Sequence, residues 1–265
     1  MKLKKIAIIG GGNLGTAIAE GLIISNFVLA DQITITRRQT DALAPLQKMG
    51  VNVTSDNAAA IQRSEIIIVA VKPYTVKEIL TGLKNSFDTK KHVVISVVTG
   101  VFLEDLAAIL GREIPIFRAM PNTAIAIQES VTCLCHQSAS ADQVKYVTAL
   151  FEQLGITIPI DEKLMDAATV LGACGIAFAL RFIRAATQGG IEIGFDAKTA
   201  SLIAAQTVKG SAELLLKGNR HPEAEIDKVT TPMGCTIAGL NEMEHQGFSS
   251  SLIKGIVASY DKIVD

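Results

Sequence analysis

Residues 2–15, KLKKIAIIGGGNLG, decide the fold. A short apolar run, Ile6–Ile9, feeds directly into a loop with Gly10, Gly12 and Gly15 in G-x-G-x-x-G spacing. From Asn13 to about Ser25 the pattern is helical, through Leu14, Ala17, Ile18, Gly21 and Leu22. The glycine triplet gains chemical meaning from this order of strand, loop and helix. Gly10 permits the tight turn, Gly12 lets backbone approach a pyrophosphate, and Gly15 lets the helix lie close on the strand with its amides facing the phosphates. The stretch reads as a dinucleotide site, with a merely structural turn as the competing reading.

Working outward, strand and helix patterns alternate. Gln32–Thr36 reads as strand, Thr40–Lys48 as helix, Gly50–Thr54 as a short strand, and Ser55 or Asp56 caps a helix through Ile61. Glu65–Val71 is nearly continuous in β-branched apolar residues, as in a strand buried on both faces, and Lys72-Pro73 stops it. Helix Val76–Leu83, strand His92–Val97, helix Leu103–Leu110, strands Pro115–Ala119 and Val131–Cys135, helix Ala139–Leu154 and strand Gly155–Ile160 follow. This alternation specifies an α/β, Rossmann-like, mostly parallel sheet over residues 1–161. From residue 162 to 265 the pattern becomes long alanine-rich helices, Asp166–Ala186, Asp196–Leu216 and Ser249–Ile263, with shorter ones at Glu223–Lys228 and Thr236–Glu244. So much apolar helical surface calls for a partner chain, so a C-terminal all-α dimerisation domain is expected.

The bulk numbers suit a soluble enzyme. Lys plus Arg is 25 against 26 for Asp plus Glu, with no basic tract to hold nucleic acid and no acidic arm. The start, Met1-Lys2-Leu3-Lys4-Lys5 before Ile6–Ile9, imitates a secretory leader, but the glycines and Glu20 interrupt it. No charge-free apolar run approaches membrane length. Cys133, Cys135, Cys174 and Cys235 form no disulfide or metal framework and read as reduced thiols, consistent with a cytoplasmic location. Whether Cys174 and Cys235 meet is open.

An NAD site commonly carries an acidic residue at the end of the second strand. Here that edge is Thr36-Arg37-Arg38-Gln39, and Asp31 lies at the strand's other end. Two planar guanidinium forks suit a 2′-phosphate, so NADPH is favoured with NADH possible; two solvated arginines are the alternative. Ala70-Val71-Lys72-Pro73 and Arg118-Ala119-Met120-Pro121-Asn122-Thr123 both end strands where a parallel sheet opens onto its ligand. Asn122 and Thr123 are candidates for the nicotinamide amide or the substrate edge. Thr230–Thr236 looks like a helix start whose free amides hold a carboxylate, or an ordinary cap. None of His92, His136, His221 and His245 sits in an acid–base arrangement, and His221 before Pro222 reads as structural.

The ordered motifs resemble the pyrroline-5-carboxylate reductase family along essentially the whole chain. They are IIGGGNLGTAIAEGL (8–22), AVKP (70–73), RAMPNT (118–123), MDAAT (165–169), AAQTVKGSAELLL (204–216), HP (221–222) and TPMGCTIAGLNEMEHQGF (231–248). The resemblance implies NAD(P)H-dependent reduction of (S)-1-pyrroline-5-carboxylate to L-proline, by dimers or rings of dimers joined through the C-terminal helices. It places Gly10, Gly12, Asn13, Leu14 and Gly15 at the pyrophosphate, and Arg37 and Asn57 at the adenosine ribose or its 2′-phosphate. Ala70, Lys72 and Pro73 fall on the nicotinamide side, with Met120 and Asn122 in the central cleft. Gly234, Cys235 and Thr236 fall in the loop that holds the substrate carboxylate. Thr236 matches the threonine bonded to the ring nitrogen, and no metal is implied.

Departures touch the site. Ser-Gly-Ser-Gly-Pro-Ala-Tyr of the family is Gly172-Ala173-Cys174-Gly175-Ile176-Ala177-Phe178 here. Ser-Pro-Gly-Gly is Thr231-Pro232-Met233-Gly234, and Ala124 replaces a proline. Main-chain carboxylate binding survives such changes, whereas pocket shape need not. Reduction of another cyclic imino acid, and a non-catalytic NADPH-binding paralogue, therefore stand as alternatives.

Overall fold

The computed structural model describes residues 4–264. Among these, the chain divides into two compact units that part between Cys174 and Gly175. In chain order the first holds β1 (Ile6–Ile9), α1 (Asn13–Ile24), β2 (Ile33–Thr36), α2 (Ala44–Lys48), β3 (Asn52–Thr54), α3 (Asn57–Gln62), β4 (Ile66–Val69), α4 (Pro73–Leu83), β5 (Val93–Ser96) and α5 (Leu103–Leu110). It continues with β6 (Ile116–Met120), β7 (Ser130–Gln137), α6 (Ala141–Glu152), β8 (Gly155–Pro159) and α7 (Met165–Ala168), then a π-helical turn over Thr169–Cys174.

The strands form one eight-stranded sheet in the order β3-β2-β1-β4-β5-β6-β7-β8. All pairings are parallel except β6 with β7, where Arg118 lies opposite Cys135. Side chains alternate between faces, so each strand feeds two cores. Ile6, Ile8, Ile33, Ile35, Ile66, Ile68, Val93, Ile95 and Phe117 pack with Ile18 and Leu22 of α1, Leu46 of α2 and Val147 and Leu150 of α6. Ala7, Ile9, Ile67, Val69, Val94 and Ile116 pack with Ala60 and Ile61 of α3, Val76 and Leu80 of α4, and Leu103 and Leu106 of α5. Burial on both faces explains the unbroken apolar reading of β4. The chain winds outward from β1 in both directions, β2 on one side and β4 on the other. The gap above the carboxyl ends of these strands is where ligands bind in such sheets.

Three expectations need adjusting. The helix expected over Thr40–Lys48 is a 3₁₀ turn, Thr40–Leu43, followed by α2, with the change at Pro45, which has no N–H to donate. α4 starts at Pro73 rather than Val76, since proline fits the first helical turn. The helix expected from Asp166 contains the π turn, and Glu162–Cys174 packs with the sheet unit: Met165 is fully buried in its second core.

The second unit contains α8 (Gly175–Glu192), α9 (Ala197–Gly218), α10 (Pro222–Lys228), α11 (Cys235–His245) and α12 (Phe248–Val264). α8 and α9 pair through a turn with Gly194 at φ +112° and Asp196 capping α9, its Oδ1 accepting from the Lys198 and Thr199 amides. Hydrogen bonds from Thr199 hold the Asp196 carboxyl below the usual range. His221 caps α10 through Nδ1, which accepts from the Glu223 amide, so its role is structural. Apolar side chains lie open along this unit, including Leu180, Phe182, Ile191, Leu202, Ile203, Leu214, Ile253 and Val257. By length and composition the helical stretch Glu162–Glu192 is long and apolar enough to cross a membrane, with an 18-residue window of mean hydropathy 1.6. Asp166, Arg181 and Arg184 interrupt its charge-free run.

Candidate active site

The glycine loop is pinned to the end of β2. Gly11 N donates to the Thr36 carbonyl (2.6 Å) and Gly10 N to the Thr36 hydroxyl (3.3 Å). Arg37 Nη1 donates to the Gly11 carbonyl (2.9 Å). Gly10 has φ +112°, and a Cβ there would lie 2.5 Å from the Ala70 carbonyl oxygen. At Gly15 a Cβ would stand 2.1 Å from the Gly10 oxygen, which is why the helix can close on the strand only with glycine. At Gly12 a Cβ would meet nothing within 4 Å. The loop leaves that space above the N-terminus of α1, whose cap Gly12 supplies no side-chain bond and whose first turn holds no carboxylate. These residues fit a dinucleotide pyrophosphate: open amides, positive helix end and room for the phosphates.

A cleft of about 860 Å³ spans the carboxyl ends of the strands. Gly10, Gly12, Asn13, Leu14, Arg37, Asn57, Ala70, Lys72, Pro73, Met120 and Asn122, all singled out from sequence, line it together. Gly15 sits behind it as the packing glycine. Arg38 and Thr123 line the cleft too, and Glu78 of α4 is the one carboxylate among the described lining residues. No acidic side chain stands at the end of β2, where Arg37 and Arg38 are exposed; Asp31 belongs to a 3₁₀ turn at the strand's start. That edge suits a phosphate rather than ribose hydroxyls alone. Asn57 opens α3, held in place by its cap Asp56, which accepts from the Ala59 amide. Lys72 caps α4 through its carbonyl, which accepts from the Thr75 amide (3.0 Å) and hydroxyl (2.8 Å), leaving the ammonium exposed beside the cleft.

Sequence reasoning missed Tyr74, Val97 and Val98, which also line the cleft, and read Ser55 only as a helix cap; Thr36 of the strand edge and Ala173 of the altered family motif line it too. It also missed the brace from Arg37 to the glycine loop. The cleft positions just beyond strand ends were legible from the parallel pattern; Val97 and Val98, just past β5, carried no motif of their own.

Among the described residues, the histidines and cysteines offer no acid–base pair. His92 lies at the start of β5, opposite the cleft end, where Nδ1 accepts from the Asp88 amide (2.9 Å) and burial lowers its pKa. Burial pushes the Cys135 thiol up to about 11, leaving it unreactive. All four cysteines are free, and no cluster of metal-ligating side chains occurs among the described residues.

In the second unit, Gly234 caps α11 without a side-chain bond, and its amide donates to the Thr231 carbonyl (3.0 Å). The first amides of α11, at Cys235 and Thr236, follow at the helix's positive end. A Cβ on Gly234 would lie 2.6 Å from Thr231 Oγ1 and 3.0 Å from the Thr231 carbonyl oxygen, so the turn is tight there. Met233 adopts φ +62° with a fully exposed side chain.

Known proteins resemble this chain in sequence and in fold. The chain is 44% identical to pyrroline-5-carboxylate reductase 2 of Dictyostelium discoideum, over 98% of this chain and 92% of that one. It is 33% identical to pyrroline-5-carboxylate reductase of Methanosarcina acetivorans, over 99% of this chain and 97% of that one. The chain belongs to the pyrroline-5-carboxylate reductase family. Residues 162–265 match the family model for pyrroline-5-carboxylate reductase dimerisation, and residues 5–100 that for NADP oxidoreductase, coenzyme F420-dependent. Identity reaches 50% with pyrroline-5-carboxylate reductase 1 of Dictyostelium discoideum, of which this chain spans about half the length (49%). The crystal structure of Plasmodium falciparum pyrroline carboxylate reductase with NADP bound superposes with a TM-score of 0.90 at 27% identity, over 99% of this chain and 97% of that one.

Proposed function

We propose that this chain reduces (S)-1-pyrroline-5-carboxylate to L-proline with NADPH, the last step of proline formation. The observation that carries the reading is the family match along nearly the whole chain, joined to a cleft built for a dinucleotide. NADPH, when bound, supplies the hydride. Gly10, Gly12 and the amides of Asn13, Leu14 and Gly15 hold the pyrophosphate, and Arg37 with Asn57 and Arg38 hold the adenosine 2′-phosphate. Ala70, Lys72, Pro73 and Asn122 frame the nicotinamide side, and Met120 the substrate side. The open amides at Cys235 and Thr236 hold the substrate carboxylate, and Gly234, whose amide closes the turn onto the Thr231 carbonyl, shapes the loop that presents them. Main-chain donors are independent of side-chain identity, so Thr231, Met233 and Cys235 leave them intact.

A protonated cyclic imine is already electrophilic. The residues must therefore hold donor and acceptor at ~3–3.5 Å and exclude water. The Thr236 hydroxyl keeps the ring nitrogen protonated by hydrogen bonding. NADPH oxidation with pyrroline-5-carboxylate, and proline identified by mass, tests the reading. A second reading, reduction of another cyclic imino acid, draws on the exposed Met233 in the loop. It predicts NADPH consumption with such compounds and slow turnover of pyrroline-5-carboxylate.

The apolar faces of α8, α9 and α12 find cover in a homodimer, and this reading applies to the Glu162–Glu192 stretch rather than a membrane. Assembly of dimers into a ring belongs to the same proposal. So does a cytoplasmic location, which four free cysteines support.

A further inference from the structure

Both ends of the segment from Glu162 to Gly172 are tied to one short stretch of the sheet. At its start, Glu162 Oε1 accepts from Arg118 Nη1 of β6 (2.9 Å) and from the Leu103 amide that opens α5 (2.6 Å). Arg118 is 1% exposed, and its guanidinium lies 5.0 Å from the centre of the Phe102 ring. At its end, the Gly172 carbonyl accepts from Asn122 Nδ2 (3.2 Å), just past the end of β6. Between the ties Met165, Thr169 and Val170 are buried. The segment closes with the π turn, a geometry that recurs at functional sites. Ala173, the next residue, stands in the cleft wall with Met120, Pro121 and Asn122.

The polar atoms of Asn122 are already engaged. Its amide donates to Ser130 Oγ (3.1 Å), its Oδ1 accepts from the Ala124 amide (3.0 Å), and its Nδ2 serves Gly172. The residue is 7% exposed. One Nδ2 hydrogen and one Oδ1 lone pair remain, on a carboxamide whose plane is fixed by bonds at both of its ends.

We propose that Asn122 is a positioning residue: its carboxamide locks the π turn to the exit of β6 and so sets where Ala173 and Met120 stand in the cleft. Arg118 and Glu162 secure the segment's other end. Hydride transfer is sensitive to displacements of about 1 Å, so the tie acts on turnover rather than on cofactor affinity. This reassigns Asn122 within the reductase reading, on which only the kinetic arm of the test rests.

Asn122→Asp keeps an acceptor for the Ala124 amide but turns an anionic oxygen on the Gly172 carbonyl. In the full-length protein, kcat with pyrroline-5-carboxylate should fall roughly 10–100-fold while the NADPH Kd stays within about twofold. Hydrogen exchange should speed up across residues 165–174 and stay unchanged in β6. Glu162→Gln lies outside the cleft lining and keeps an acceptor of the same shape. It should show the same exchange signature with a smaller kcat loss, about 3–10-fold. An NADPH Kd weakened more than about tenfold in Asn122→Asp, with exchange unchanged, would make Asn122 a cofactor ligand and overturn the proposal. A lowered Tm with kcat unchanged would overturn it equally. Wild-type protein that binds NADPH without turnover refutes the reductase reading instead, and the Kd and exchange arms still decide this proposal.

Discussion

Gly15 and Met233 mark the two limits of backbone tolerance in this chain. Gly15 cannot carry a side chain, because a Cβ would stand 2.1 Å from a backbone oxygen of the loop it supports. Gly15→Ala should weaken NADPH binding at least tenfold, on the order of 1.4 kcal/mol, by forcing α1 off β1; titration of cofactor fluorescence reads it. Met233 holds a left-handed backbone at φ +62° with its side chain in solvent. Met233→Gly should raise stability by roughly 0.5 kcal/mol, the left-handed penalty less glycine's extra unfolded entropy, seen as a higher Tm. The glycine spacing was legible because it reflects local sterics. The strained Met233 backbone was not, since methionine gives no hint of a positive φ. Arg37 has two duties, bracing Gly11 and facing the cleft edge. Arg37→Ala should raise the NADPH KM about 10–100-fold and the NADH KM less, as expected when a charge-assisted phosphate contact is lost.

At the scale of elements, short unbroken apolar runs and helical three-to-four spacing carried nearly every strand and helix of the first unit. Direction was harder to read. β7 runs antiparallel to β6, with only a 3₁₀ turn over Thr123–Ile127 between them, and strand composition does not encode that reversal. The π turn at Thr169–Cys174 was equally silent, because it is fixed by Asn122, distant in sequence. Glu162 looked like the start of the helical half, yet it closes an ion pair with the buried Arg118 inside the sheet unit. Glu162→Ala should destabilise the protein by roughly 3 kcal/mol, since it leaves a buried guanidinium without its partner. Pairing it with Arg118→Met should recover much of that loss in denaturant unfolding, because the uncompensated charge is then gone.

For the whole molecule, the contrast between the units is the informative feature. The sheet unit buries its apolar side chains in two cores, whereas the helical unit leaves Leu202, Ile203, Ile253 and Val257 exposed on α9 and α12. Residues 162–265 match a dimerisation family, and the apolar face is what a subunit interface requires. Leu202→Glu with Ile253→Glu should shift sedimentation toward the monomer without abolishing NADPH binding.

NADPH oxidation with pyrroline-5-carboxylate, followed in the purified wild type and in Thr236→Val with proline identified by mass, decides whether this chain makes proline. The wild type should form proline stoichiometrically with NADPH consumed, and the variant, its fold intact, should lose turnover by roughly 10–100-fold. Saturable NADPH binding with no proline formed would mean that the cleft serves another reaction or none.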